Sequence, residues 1–222
     1  MNRNRIALGI IAADLLATAL LYARLPLEMP LHWGLSGAPD RFGARWEFAL
    51  GGPLLLAFCW ALLVAMTRID PLGGRPLAAD APPAERGAFA ALNLALMAMM
   101  GIAHVGCMLH FSGLVSLHAW GRFLIPALLM VMGNFLPRVR PNYFAGLRTP
   151  WTLSSETVWR RTNRLGGKLL FYGGLLTAAL VLFVKTPEVG SWALMAVCGI
   201  SIIACYSASY LWWREEQRAA RS

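Results

Sequence analysis

His32, Trp33, Asp40 and Arg41 stand within ten residues of one another in RLPLEMPLHWGLSGAPDRFGARWE, residues 24–47. An imidazole, an indole, a carboxylate and a guanidinium held this close can grip a charged or amphipathic ligand. They can equally bond to one another in an interfacial hairpin. Pro26 and Pro30 favour an extended approach, Pro39-Asp40 favours a turn, and Gly34, Gly37 and Gly43 permit sharp bends. Connections of about two dozen residues with defined turn chemistry tend to be functional, so this loop reads as a recognition surface. His32, His110 and His118 together with Asp40 include the donor types of a zinc site, but no compact ligand spacing joins them. Neither metal nor cofactor is expected.

A second polar stretch, PRVRPNYFAGLRTPWTLSSETVWRRTNRLGG, runs from Pro137 to Gly167 and holds seven of the twenty Lys and Arg once Lys168 is included. Pro150 drives Thr149 out of the helical region, so no helix can cross that point. A new one can start at Ser154, whose hydroxyl can cap it, with Glu156 favoured in the first turn. Val158, Trp159, Thr162 and Leu165 then fall on one face and Arg160, Arg161 and Arg164 on the other. That spacing predicts a short amphipathic helix on a membrane surface, with Arg148, Trp151, Glu156, Trp159, Arg160 and Arg164 offered to a partner. A plain basic loop between spans is the competing reading.

The elements that hold these two stretches are apolar. Of the 222 residues, 58% are hydrophobic and 14% charged, against about a quarter charged in soluble domains. Mean hydropathy is +0.55. Six runs are near the length of a membrane span: 6–23, 48–66, 89–109, 120–136, 169–184 and 192–213. The fold class expected is therefore an all-α integral membrane protein, a six-span bundle with one short amphipathic cytoplasmic helix. Its units would be 1–66, two spans with the 24–47 loop, and 87–213, four spans with the 137–167 loop. The stretch RIDPLGGRPLAADAPPAER between them reads as a linker. The N-terminal run imitates a signal peptide, but Leu21 sits where cleavage after Ala23 needs a small residue, and Asp14 interrupts the apolar core. It reads as an uncleaved first span.

Charge sets the orientation. With the N-terminus inside, fifteen Lys and Arg fall on inner segments and five on outer ones, which puts both termini in the cytoplasm of a bacterial inner membrane. Residues 24–47 then face outward and 137–167 inward. The formal charge of +9 and pI near 10.1 follow from this inward bias toward anionic lipid, so no direct nucleic-acid binding is expected. Cys59, Cys107, Cys198 and Cys205 all lie in apolar runs and read as packing residues.

Asp14 lies near the middle of the first run, where a carboxylate is costly and seeks a partner. His104, Asn93, and the serines and Tyr206 of the last run are candidates. It either relays protons or glues helices. No nucleophile elbow, phosphate loop or carboxylate pair appears. The reading is non-enzymatic, the alternative being a membrane enzyme or proton-coupled transporter built on Asp14 or the outer histidines.

The segment FAGLRTPWTLSSETVWRRTNRLGGKLL resembles the SdpI family of bacterial membrane immunity proteins, through Gly146, Arg148, Thr149, Pro150, Trp151, Thr152, Leu153, Glu156 and Trp159. LPLEMPLHWGLSGAPDRFG is similar to a small domain of unknown function found N-terminal in the same proteins, through Leu25, Pro26, Pro30, His32, Trp33, Gly34, Gly37, Pro39, Asp40, Arg41 and Gly43. The resemblance implies a lipid-embedded protein that protects its cell from a secreted membrane-active toxin peptide. It also implies a second role, drawing a small cytoplasmic winged-helix repressor to the membrane. His32, Trp33, Asp40 and Arg41 would then sense the toxin, and the Arg148–Arg164 segment would hold the repressor.

Overall fold

The computed structural model describes residues 3–34, 36, 38–69, 87–116, 121–184, 186 and 188–221. Gly37, His118, Lys185 and nearly all of the linker lie outside the described residues. Seven α-helices and one hairpin follow in order: α1 Arg3–Leu21, β1 Glu28–Trp33, β2 Pro39–Ala44, α2 Arg45–Ile69, α3 Ala88–Phe111, α4 Leu124–Phe135, α5 Pro150–Ser154, α6 Glu156–Phe183 and α7 Glu188–Ala219. Helices α1, α2, α3, α6 and α7 are each long and apolar enough to cross a bilayer. Much of their apolar surface faces outward, with Phe183 81% exposed and Leu20, Leu54 and Ile203 exposed as well. Such a surface is stable only against hydrocarbon. This is a multi-pass membrane protein.

Two expectations are refined and one needs correction. Among the described residues five helices meet the spanning criterion on their own. The run expected over 120–136 is a twelve-residue α-helix with 3-10 turns at Gly121–Phe123 and Leu136–Arg138. Pro137, which lacks an N–H, ends the regular ladder there. Next, the 24–47 loop contains the hairpin, one of its two readings. β1 and β2 pair antiparallel, Glu28 opposite Ala44 and Pro30 opposite Phe42, with irregular register around His32. Last, the correction: among the described residues the amphipathic stretch is not a separate surface helix. The periodic face from Val158 opens the 28-residue α6, which runs on into the apolar segment, and its cap is Ser155, whose Oγ accepts the Val158 N–H at 3.2 Å. Ser154 instead donates to the Trp151 carbonyl.

Helix α6 carries Gly166 and Gly167 because each admits a close neighbour, the Leu147 side chain at Gly166 and the α4 backbone at Gly167. Gly133 of α4 faces Gly167 so closely that a Cβ on Gly133 would lie 2.6 Å from the Gly167 carbonyl oxygen and 2.8 Å from the Phe171 Cα. Small residues at such crossings let membrane helices pack closely. Leu129, Leu136 and Leu170 fill the rest of the seam, and Leu194 and Val197 of α7 close it. On the other side α1, α2 and α3 pack through Ala7, Ile11, Leu56 and Met97. Leu92 of α3 meets Trp159 of α6, tying the two halves.

Gly133→Leu would force α4 off α6. The expected loss is about 1–3 kcal/mol, read as a lower unfolding midpoint in detergent, whereas the same change at Gly199, where a Cβ meets nothing within 4 Å, should leave the midpoint unmoved.

Candidate functional site

Two polar clusters carry the chemistry, one at each face of the bundle's packing, and a third lies inside. In the hairpin the four expected residues come together. His32 Nδ1 lies 2.6 Å from Asp40 Oδ1, His32 stands opposite Arg41, and Trp33 stands opposite Pro39. The pair is open, with side chains 65% and 52% exposed. Leu27, Phe42 and Trp46 are exposed close by. A hydrogen-bonded histidine–carboxylate pair among exposed aromatics can meet an amphipathic chain: the polar pair orients it and the rings bury its apolar side. Below, Met29 and Leu25 anchor the hairpin into the core of Leu21, Ala49 and Met108. Glu47 holds the turn into α2 by accepting the Ala44 N–H at 3.0 Å.

The second cluster is the Pro137–Gly167 segment, and it is built as a knot. Residues between Val139 and Thr149 have no helix or strand, so their backbone groups need other partners. Asn142 serves four of them. Its Oδ1 accepts from Phe144 N–H at 2.8 Å and Ala145 N–H at 2.6 Å, and its Nδ2 donates to the Arg140 and Ala145 carbonyls at 2.7 and 2.9 Å. Asn163 Oδ1 accepts the Leu147 N–H at 2.9 Å, and Trp159 Nε1 donates to the Val139 carbonyl at 2.8 Å. Gly146 makes this fit possible. Its φ is +113°, and a Cβ would lie 2.8 Å from the Trp159 ring and 3.0 Å from Asn163 Oδ1.

Thr149 then starts α5. It is extended, as Pro150 requires, and it forms a reciprocal cap: its Oγ1 accepts the Thr152 N–H at 3.1 Å and Thr152 Oγ1 accepts its N–H at 2.8 Å. Thr149 Oγ1 also donates to Ser209 Oγ of α7 at 3.2 Å. The knot leaves Arg148, Glu156, Arg160 and Arg164 exposed. Arg148 donates to the Tyr143 carbonyl, Arg160 pairs with Glu156 at 2.9 Å, and Arg161 pairs with Glu215 at 3.6 Å. Trp151 leans on α7. Trp159, expected on the docking face, is instead 1% exposed and acts as an internal strut.

The third cluster involves Asp14, which is 2% exposed. Of the candidate partners the structure selects His104 of α3, whose Nδ1 lies 3.0 and 3.1 Å from the two carboxylate oxygens. His104 Nε2 lies 3.2 Å from the Phe48 carbonyl. A carbonyl only accepts, so Nε2 carries a proton; Nδ1 and Asp14 must then share another, held by ring or carboxyl. Net charge is zero either way. Asn93 donates instead to Phe89 of its own helix. Gly52 of α2 leaves the space that the imidazole fills. Next to it Pro53 cannot donate to the Ala49 carbonyl, and Thr18 Oγ1 donates there at 3.3 Å.

No three His, Cys, Asp or Glu among the described residues come together as a metal site. Sequence reasoning missed Asn142, Asn163 and Tyr210, and offered Tyr206 as a partner for Asp14 whereas it packs on Trp151. The Asx-turn preference of Asn142 was the one available signal.

Comparison with known proteins fixes the relationship. Residues 138–209 match the SdpI/YfhL protein family, and residues 9–57 match a Domain of unknown function (DUF1648). Residues 138–209 are thus similar to the SdpI/YfhL family. The chain as a whole is similar to "Immunity protein SdpI" of Bacillus subtilis, at 24% identity over 215 residues, 97% of this chain and 98% of that protein. No solved structure matches it. The SdpI-family match spans the knot, α5, α6 and most of α7. The other match spans α1, the hairpin and the part of α2 that carries Gly52 and Pro53.

Asp14→Ala should cost about 1–3 kcal/mol by leaving Nδ1 of the part-buried His104 unpaired. In a double-mutant cycle with His104→Ala the two losses should couple by about 0.5–3 kcal/mol; additive losses in thermal unfolding would show that the pair is not made.

Proposed function

We propose that this chain is a non-enzymatic membrane immunity and signal-transduction protein of the bacterial inner membrane, with both termini cytoplasmic. It protects its cell from a membrane-active toxin peptide, sensed at His32, Trp33, Asp40 and Arg41 on the outer face. A cytoplasmic winged-helix repressor docks on the surface made by Arg148, Trp151, Glu156, Arg160 and Arg164, with Trp159 holding that surface from within. The observation that carries this reading is end-to-end similarity to an immunity protein, with both motif-bearing segments matched separately.

Geometry supports the two-sided arrangement. Six crossings put 24–47 and 137–167 on opposite faces, and α4 can supply the sixth. With its flanking 3-10 turns it forms a continuous helical stretch over 121–138. That stretch is about 30 Å long at the rises of the two helix types, close to the thickness of the hydrocarbon core, ~30 Å. Fifteen positive charges against five support the same orientation. The hairpin offers an amphipathic peptide both rings and charges, and the knot offers a partner a rigid set of guanidinium groups.

Single cysteines at Asp40 and at Arg164 in intact cells test the sidedness. A membrane-impermeant thiol reagent should label the first and spare the second until the cells are opened. Labelling of both from outside would contradict the scheme. In cells exposed to the cognate toxin peptide, Asp40→Ala should lose protection while keeping the repressor at the membrane. Arg148→Ala combined with Arg164→Ala should release the repressor while keeping protection. A single variant that loses neither function, with the protein inserted normally, would count against the assigned surfaces.

A further inference from the structure

Helix α7 carries Tyr206 and Tyr210 one turn apart, both exposed. Trp151 of α5 leans on both, with ring centroids 5.0 and 5.1 Å away. Two grooves meet at Tyr206. One, of about 240 Å³, runs from Arg148 and Thr149 to Ile202 and Cys205. The other, of about 410 Å³, lies between Trp151, Ser207, Tyr210 and Leu211 and is mostly apolar. A guanidinium stands at each end of this aromatic strip. Arg148 lines the first groove, and Arg214 lies over the Tyr210 ring at 5.6 Å. Neither has a carboxylate partner among the described residues, and Arg148 uses one donor, to the Tyr143 carbonyl.

The depth of this strip identifies its solvent. Helix α7 has 32 residues, about 48 Å at 1.5 Å per residue, longer than a hydrocarbon core of about 30 Å. Its apolar run ends at Trp212-Trp213 and gives way to Arg214, Glu215 and Glu216. Tyr206 and Tyr210 therefore lie in the last two apolar turns, at the level where aromatic rings meet headgroups. Rings alone at that level would take any lipid. Two guanidinium groups without carboxylates select for a negatively charged headgroup, since each can donate to phosphate oxygens.

We propose that this strip is a binding site for one anionic phospholipid. An acyl chain lies along Ile202, Tyr206, Tyr210 and Leu211, and the headgroup phosphate sits between Arg148 and Arg214. The lipid would cover the junction of α5 and α7 and steady the base on which the exposed arginines stand. The proposal is independent of toxin and repressor, because it is read on the purified full-length protein alone.

The test equilibrates the protein in vesicles containing equal amounts of phosphatidylglycerol and phosphatidylcholine, then counts lipids retained in gentle detergent by native mass spectrometry. One retained phosphatidylglycerol is expected, in clear excess over phosphatidylcholine. Arg148→Gln combined with Arg214→Gln should lose that preference, and the double Lys variant should keep most of it. A brominated phosphatidylglycerol should quench more tryptophan emission in the wild type than in Trp151→Phe. Equal retention of the two lipids by the wild type would overturn the proposal without reference to any variant. So would undiminished preference in the folded double Gln variant.

Discussion

A chain that leaves the helix near a bilayer must find a partner for every N–H and C=O it exposes, because hydrocarbon offers none. The eleven residues from Val139 to Thr149 are where this protein meets that constraint. Asn142 closes the middle of the stretch on itself, and α6 reaches back through Trp159 to Val139 at its start and through Asn163 to Leu147 near its end. The result fixes α4, α5 and α6 to one another without a sheet or a disulfide. Everything presented outward, from Arg148 to Arg164, stands on that internal lattice of side-chain bonds.

The N-terminal half answers the same constraint by other means. Pro53 removes one backbone donor inside α2, and Thr18 from α1 supplies it. His104 from α3 bonds the neighbouring Phe48 carbonyl and binds Asp14 with its other nitrogen. Three helices are thus joined by polar contacts exchanged near one kinked turn, and the hairpin sits directly on the apolar cluster beside it. A carboxylate that would be expensive alone becomes half of a neutral pair. Because α3 also packs on Trp159, the two halves share a helix, and a change at one has a mechanical route to the other.

Much of this was legible in the sequence. Hydropathy placed α1, α2, α3 and α7 within a few residues, and Pro150 fixed the break before α5. Asp14 demanded a partner, and His104 was among the candidates. The misreadings share one cause. Periodicity at Val158, Trp159 and Thr162 shows that a face is buried, but cannot show whether lipid or protein buries it; here it is protein, so a surface helix was expected where α6 begins. Pro30, Pro39 and three glycines left a hairpin and an open recognition loop equally readable, because strand pairing is held by cross-strand neighbours and by the core beneath. The roles of Asn163, Tyr206 and Tyr210 depend on α6 and α7 crossing the knot, a long-range fact that no local pattern encodes. Gly146 was visible as part of a motif, while its reason, contact with an indole and a carboxamide, was not.

Amide hydrogen exchange at Phe144, Ala145 and Leu147 tests the buried knot most directly. These amides belong to no helix or strand, so their protection can come only from Asn142 and Asn163. The account requires them to exchange as slowly as helical amides, and requires Asn163→Leu to release Leu147 while the long helices persist. Exchange at the rate of an open loop in the unaltered protein would mean that the lattice does not exist, and the rigid presentation of Arg148 and its neighbours would fall with it.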